Sequence, residues 1–107
     1  MNNLVKMGAI SACLFFGGAT MAAPPTGAAI TIQNYKFFPE ALTIKAGTTV
    51  TWTNKDEDPH TVMSLTGEPR SDALDTGQTF SYAFTKPGTY QIMCTLHPQM
   101  HATIVVE

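Results

Sequence analysis

The chain has 107 residues, of which 44% are hydrophobic and 13% charged, and it carries a formal net charge of −2. Once an N-terminal leader is set aside, that length holds one small domain and leaves no room for a second. Six Lys and Arg against eight Asp and Glu exclude a nucleic-acid binder, which needs clustered cations to meet phosphates.

Residues 1–22 read as a signal peptide. A short start with one basic side chain, Lys6, leads into the apolar run from Met7 to Thr20, which ends in small residues. The run is shorter than the roughly 20 apolar residues of a membrane span, and no stop-transfer pattern follows it. Cleavage after Ala22 uses Thr20 and Ala22 as the small flanking pair, whereas a cut after Ala23 would place Pro24 directly behind it. Ile10-Ser11-Ala12-Cys13 offers the alternative of lipidation at Cys13, against which the apolar segment continues past that cysteine. The expected product is a periplasmic domain over residues 23–107. Its only cysteine is Cys94. Exported domains of this size ordinarily pair their cysteines as disulfides. A lone thiol in an oxidising compartment calls for an occupant, and a metal ion would be one.

After the extended lead-in Pro24-Pro25-Thr26-Gly27, short runs rich in Thr, Val, Ile, Tyr and Phe alternate with turn residues. The predicted strands are Ala29 to Gln33, Leu42 to Lys45, Thr49 to Asn54, Thr61 to Ser64, Thr79 to Phe84, Thr89 to Cys94 and Ala102 to Val106. Val50 and Trp52 share one face with Thr49, Thr51 and Thr53 opposite, and Phe80, Tyr82 and Phe84 form a second apolar row. Ala46-Gly47 and Lys86-Pro87-Gly88 mark tight turns. Leu65 to Gly77 shows no strand pattern and reads as a long surface loop with at most one helical turn. Short strands at this spacing predict an all-β sandwich.

The chemistry is concentrated in Cys94-Thr95-Leu96-His97-Pro98-Gln99-Met100, which puts a thiolate, an imidazole and a thioether on one tight loop. A Cu(II)/Cu(I) couple favours one thiolate and two imidazoles with a weak axial thioether. The second imidazole must come from His60 or His101. If Met100 faces the metal, its neighbour His101, entering a strand, faces away, so His60 is the better candidate and His101 a surface residue. Taken singly, Cys94 reads as a buried inert thiol, Met100 as core filler and His60 as a solvated loop histidine. Together, in an exported domain without a disulfide, they read as a copper site.

The run from Ala46 to Asn54, Pro59-His60-Thr61-Val62, Pro87-Gly88-Thr89-Tyr90 and the ligand loop resemble the cupredoxins of the plastocyanin/azurin family, most closely the amicyanin type. Two residues between Cys94 and His97, and two more before Met100, match the short amicyanin-type loop. The resemblance implies a Greek-key β-sandwich of about seven to eight strands. It implies His60, Cys94 and His97 as equatorial ligands of one type 1 copper ion, Met100 as the axial ligand, and Asn54 as a residue that ties the two ligand loops together and hydrogen-bonds near the Cys94 sulfur. One departure stands out: the rim includes Asp58 and Gln99 where amicyanins are apolar.

The expected function is single-electron transport through His97 and the patch Pro59, Leu96 and Pro98. The expected partners are a periplasmic dehydrogenase and a c-type cytochrome, which Asp56-Glu57-Asp58 would steer, with the carrier a monomer. A copper chaperone or storage protein is the alternative, disfavoured by Met63, Met93 and Met100 being scattered in the sequence. Enzymatic activity is not expected, because one closed site consumes the strong ligands and no His-x-His motif exists for another.

Overall fold

A computed structural model describes residues 27–107. The expected signal peptide, its cut site, Cys13 and the lead-in from Pro24 to Thr26 lie outside the described residues. Among the described residues there are nine strands and no helix: β1 (Gly27–Gln33), β2 (Lys36–Phe38), β3 (Ala41–Ile44), β4 (Thr48–Asn54), β5 (Met63–Ser64), β6 (Gly67–Arg70), β7 (Thr79–Phe84), β8 (Gly88–Met93) and β9 (His101–Val106). They form a four-stranded sheet ordered β2-β1-β4-β7 and a five-stranded sheet ordered β3-β9-β8-β5-β6. Strands β1 and β4 are parallel neighbours although β3 intervenes in sequence. That is possible because the chain crosses to the other sheet, where β3 pairs parallel with β9.

The predicted alternation is what builds the interior. In β4, Val50, Trp52 and Asn54 are buried between more exposed threonines. Ile30 and Ile32 of β1, Ile92 of β8, and Ala102, Ile104 and Val106 of β9 do the same on their strands. Each fully buried Val, Ile or Phe side chain contributes about 1.5–3 kcal/mol. A one-residue slip would turn every such row to solvent, so burial also fixes the register.

Two expectations need correction. Leu65 to Gly77 is neither a plain loop nor helical: it contains β6, which pairs with β5, and a bridge between Leu74 and His60. Proline obscured β6, yet β6 is an outer strand, where Pro69 lacks an N–H that no ladder requires. Strand β2 was also missed. It is joined to β1 by the two-residue turn Asn34-Tyr35, both at positive φ (56° and 58°), a conformation usually signalled by Asn-Gly.

The register places the site. β1 lies beside β4 with Ile32 opposite Asn54. β8 lies beside β9 with Met93 opposite His101, and beside β5 with Met93 opposite Met63. The β1–β2 turn, the β4–β5 loop and the β8–β9 loop therefore meet at one end of the sandwich.

Candidate metal centre

The β8–β9 loop carries Cys94, His97 and Met100, and it closes on itself. Met100 N–H donates to His97 O (2.9 Å) and Cys94 N–H to Met100 O (3.3 Å). Cys94 and Met100 are buried, His97 is half-buried, and Leu96, Pro98 and Gln99 are exposed. His60 comes from the β4–β5 loop and is fully buried. Its backbone N–H donates to Leu74 O (3.1 Å) and its C=O accepts from Leu74 N–H (2.7 Å), which fixes the imidazole's root.

The two rings of the site are held differently. His60 Nε2 lies 2.8 Å from Asp56 Oδ2. Partial burial pushes the Asp56 carboxyl up, but the N–H donors of Tyr35 and Asn34, together with His60, outweigh this and hold it below the usual carboxylate range. An ionised carboxylate only accepts, so in the neutral ring the proton sits on Nε2 and Nδ1 is the nitrogen left to bind a metal. Nδ1 stands 3.7 Å from Cys94 Sγ. Two donors sharing one first-row metal, at roughly 2.0–2.1 Å for nitrogen and 2.3 Å for sulfur, stand roughly 3.6–3.8 Å apart, so this pair fits a common ion. The His97 ring packs 4.8 Å from His60 and 5.0 Å from Tyr35, centroid to centroid. Cys94 and His60 are thus brought together directly, His97 through the ring of His60, and Met100 through the loop backbone. Among the described residues, no three His, Cys, Asp or Glu side chains stand close enough together to hold a metal ion as they are, so His97 would have to turn toward the His60–Cys94 pair to complete a site.

The sulfur has its own hydrogen-bond donors. Thr61 N–H donates to Sγ (3.3 Å) and Thr61 Oγ1 approaches it at 3.7 Å. The same hydroxyl accepts from Thr95 N–H (2.7 Å) and lies 2.8 Å from Thr95 Oγ1. If Thr95 Oγ1 donates, the Thr61 hydroxyl accepts twice and gives its one hydrogen to sulfur, so every group is satisfied.

Asn54 departs from its expected role. Its Nδ2 donates to Asp58 O (2.9 Å) and Leu74 O (2.8 Å), and its Oδ1 accepts from Asp56 N–H (2.9 Å). It braces the loop before His60, while the bond to sulfur and the tie between the two loops are made by Thr61. The sequence marks Thr61 only as a strand residue and Asp56 only as a steering charge. The available signal was the position of each, Asp56 four residues before His60 and Thr61 directly after it. His101 is exposed, as its strand position predicts. Pro59 is exposed beside the loop, and Leu96, 49% exposed, crowns the rim.

Comparison with known proteins decides the family. The family model described as a cupredoxin-like domain matches residues 6–106. The chain belongs to the cupredoxin family. Amicyanin-alpha of Methylorubrum extorquens is 38% identical over 94 residues, covering 83% of this cupredoxin and 79% of that protein. A variant amicyanin solved in its Cu(I) form superposes with a TM-score of 0.71 at 34% identity, over 76% of this chain and 82% of that one. The copper-containing nitrite reductase of Thermus scotoductus superposes with a TM-score of 0.71 at 27% identity, but 82% of this chain covers only 24% of that enzyme. The shared cupredoxin fold is therefore a minor part of the enzyme's length.

Proposed function

We propose that this cupredoxin is a periplasmic electron carrier that holds one type 1 copper ion through His60, His97 and the Cys94 thiolate, with the Met100 thioether as the weak axial donor. The observation that carries the reading is His60 Nδ1 standing 3.7 Å from Cys94 Sγ, with the Asp56 carboxylate 2.8 Å from the other ring nitrogen. When bound, copper supplies a one-electron Cu(II)/Cu(I) couple in a geometry that suits both states. The chain's own contribution is rigidity. Asp56 fixes the tautomer and direction of His60, Thr61 fixes the sulfur, and the closed backbone of the ligand loop keeps Met100 beside Cys94.

His97 is half-buried between its exposed chain neighbours Leu96 and Pro98, and Pro59, next to His60 in the chain, is exposed as well. This patch is the contact through which an electron leaves, and a redox encounter here buries less than about 1,200 Å² in total. A dehydrogenase as donor and a basic-faced c-type cytochrome as acceptor fit a small apolar contact flanked by carboxylates. Among the described residues the proposed site takes the one cysteine and two of the three histidines, leaving only the exposed His101, so the proposed role is carriage and not catalysis.

One observation favours copper handling as a second reading. Met63 and Met93, distant in sequence, are register partners across β5 and β8, so these thioethers are less scattered than their numbering implies. Voltammetry of the copper-loaded protein with a Cu(I) chelator in solution separates the two readings. A carrier gives a reversible couple over many cycles and keeps its copper. A chaperone loses copper to the chelator within the experiment.

A further inference from the structure

Tyr35 belongs to neither the ligand set nor the expected patch, yet it touches both histidines. Its ring meets His60 edge-on (centroids 5.5 Å apart, 83° between planes) and meets His97 the same way (5.0 Å, 76°). With the His60–His97 contact at 4.8 Å, the three rings form a closed cluster. Edge-to-face packing of this kind is directional and so resists ring rotation.

The turn that carries Tyr35 is strained to put it there. Asn34 and Tyr35 both lie in the left-handed region, and the second position of such a turn favours glycine. Asn accommodates this backbone, whereas a bulky aromatic residue does so only when its surroundings hold it. Here they do. Asn34 N–H donates to Asp56 Oδ1 (2.7 Å), Tyr35 N–H donates to Asp56 Oδ2 (2.9 Å), and the Tyr35 hydroxyl donates to Asp58. Asp56 thereby joins the β1–β2 turn and His60 through one carboxylate. Tyr35 is itself 44% exposed, close to the 49% of Leu96 beside His97, so what sets it apart is that its backbone N–H and its hydroxyl are both tied to carboxylates.

We propose that Tyr35 is a positioning residue of the metal centre, a fixed aromatic wall that holds the His97 imidazole in a single orientation against His60. The inference rests on His97 being a copper ligand, as proposed above. Local backbone preference is set aside at this turn so that a ring, and not merely a turn, occupies the position.

Two variants test it. Tyr35→Phe keeps the ring and loses the bond to Asp58, and Tyr35→Gly removes the ring while relieving the backbone, so loss of folding does not confound the result. In the metal-free protein, the ring signals of His97 in NMR should be shifted from free-histidine values in the wild type and in Tyr35→Phe. In Tyr35→Gly they should move toward those of the exposed His101 and broaden. In the copper-loaded protein, release of Cu(I) to a chelator should speed up about tenfold or more in Tyr35→Gly, with Tyr35→Phe close to wild type. His97 signals or release rates in Tyr35→Gly that match the wild type overturn the proposal. Failure of the ligand reading shows separately, as a wild-type protein that never forms a thiolate–copper absorption, and the metal-free measurement stands whichever way that falls.

Discussion

At the residue scale, the groups that touch the Cys94 sulfur tune the site. Reduction adds an electron to the centre, so donors aimed at sulfur stabilise the reduced state more than the oxidised one. Replacing Thr61 with Val removes the hydroxyl and keeps the backbone N–H that lies 3.3 Å from Sγ. Losing one hydrogen bond worth about 0.5–1.5 kcal/mol should lower the reduction potential by roughly 20–60 mV, which voltammetry reads directly. An unchanged or raised potential would remove Thr61 from this role. The ligand candidates were legible because Cys94, His97 and Met100 crowd into one loop of unusual composition, and His60 followed from strand alternation that turns His101 outward. Thr61, Asp56 and Tyr35 were not legible. Asp56 lies only four positions before His60, but the Thr61–Cys94 and Tyr35–Asp56 bonds span 33 and 21 positions, and only the fold brings those partners together.

At the element scale, the strands legible in the sequence were those whose period-2 pattern faces a core. β4 and β7 matched to within a residue because their apolar rows are long and uninterrupted. β2 has three residues and follows a turn without glycine, and β6 carries both Gly67 and Pro69, so neither could announce itself through pattern. The same division predicts stability. Ile92, fully buried in β8 just before the ligand loop, should cost about 2–5 kcal/mol when cut to Ala. Thr49→Ala, on the exposed face of β4, should stay within about 0.5 kcal/mol of wild type. Chemical denaturation of the metal-free protein distinguishes the two, and equal losses would contradict the assignment of inner and outer faces.

At the scale of the whole molecule, three loops from two sheets converge on one end, and the acidic run Asp56-Glu57-Asp58 lies beside the His97 rim. The structure divides this run by role. Asp56 is committed to His60 and the β1–β2 turn, and Asp58 to the Tyr35 hydroxyl, which is held above the usual phenol range chiefly by that hydrogen bond. Glu57 is exposed and makes no side-chain hydrogen bond among the described residues, so steering by a free charge falls first to it. Glu57→Gln should slow association with a basic cytochrome by roughly two- to threefold at low ionic strength, and the difference should vanish at high salt. Stopped-flow rates that do not differ at low salt would discard the idea. A thiolate–copper bond at Cys94 is tested most directly by the visible spectrum of the purified domain of residues 23–107 after one equivalent of Cu(II). An intense band at about 600 nm that Cys94→Ser abolishes is the expected result. A colourless protein, or a band that survives Cys94→Ser, would contradict it.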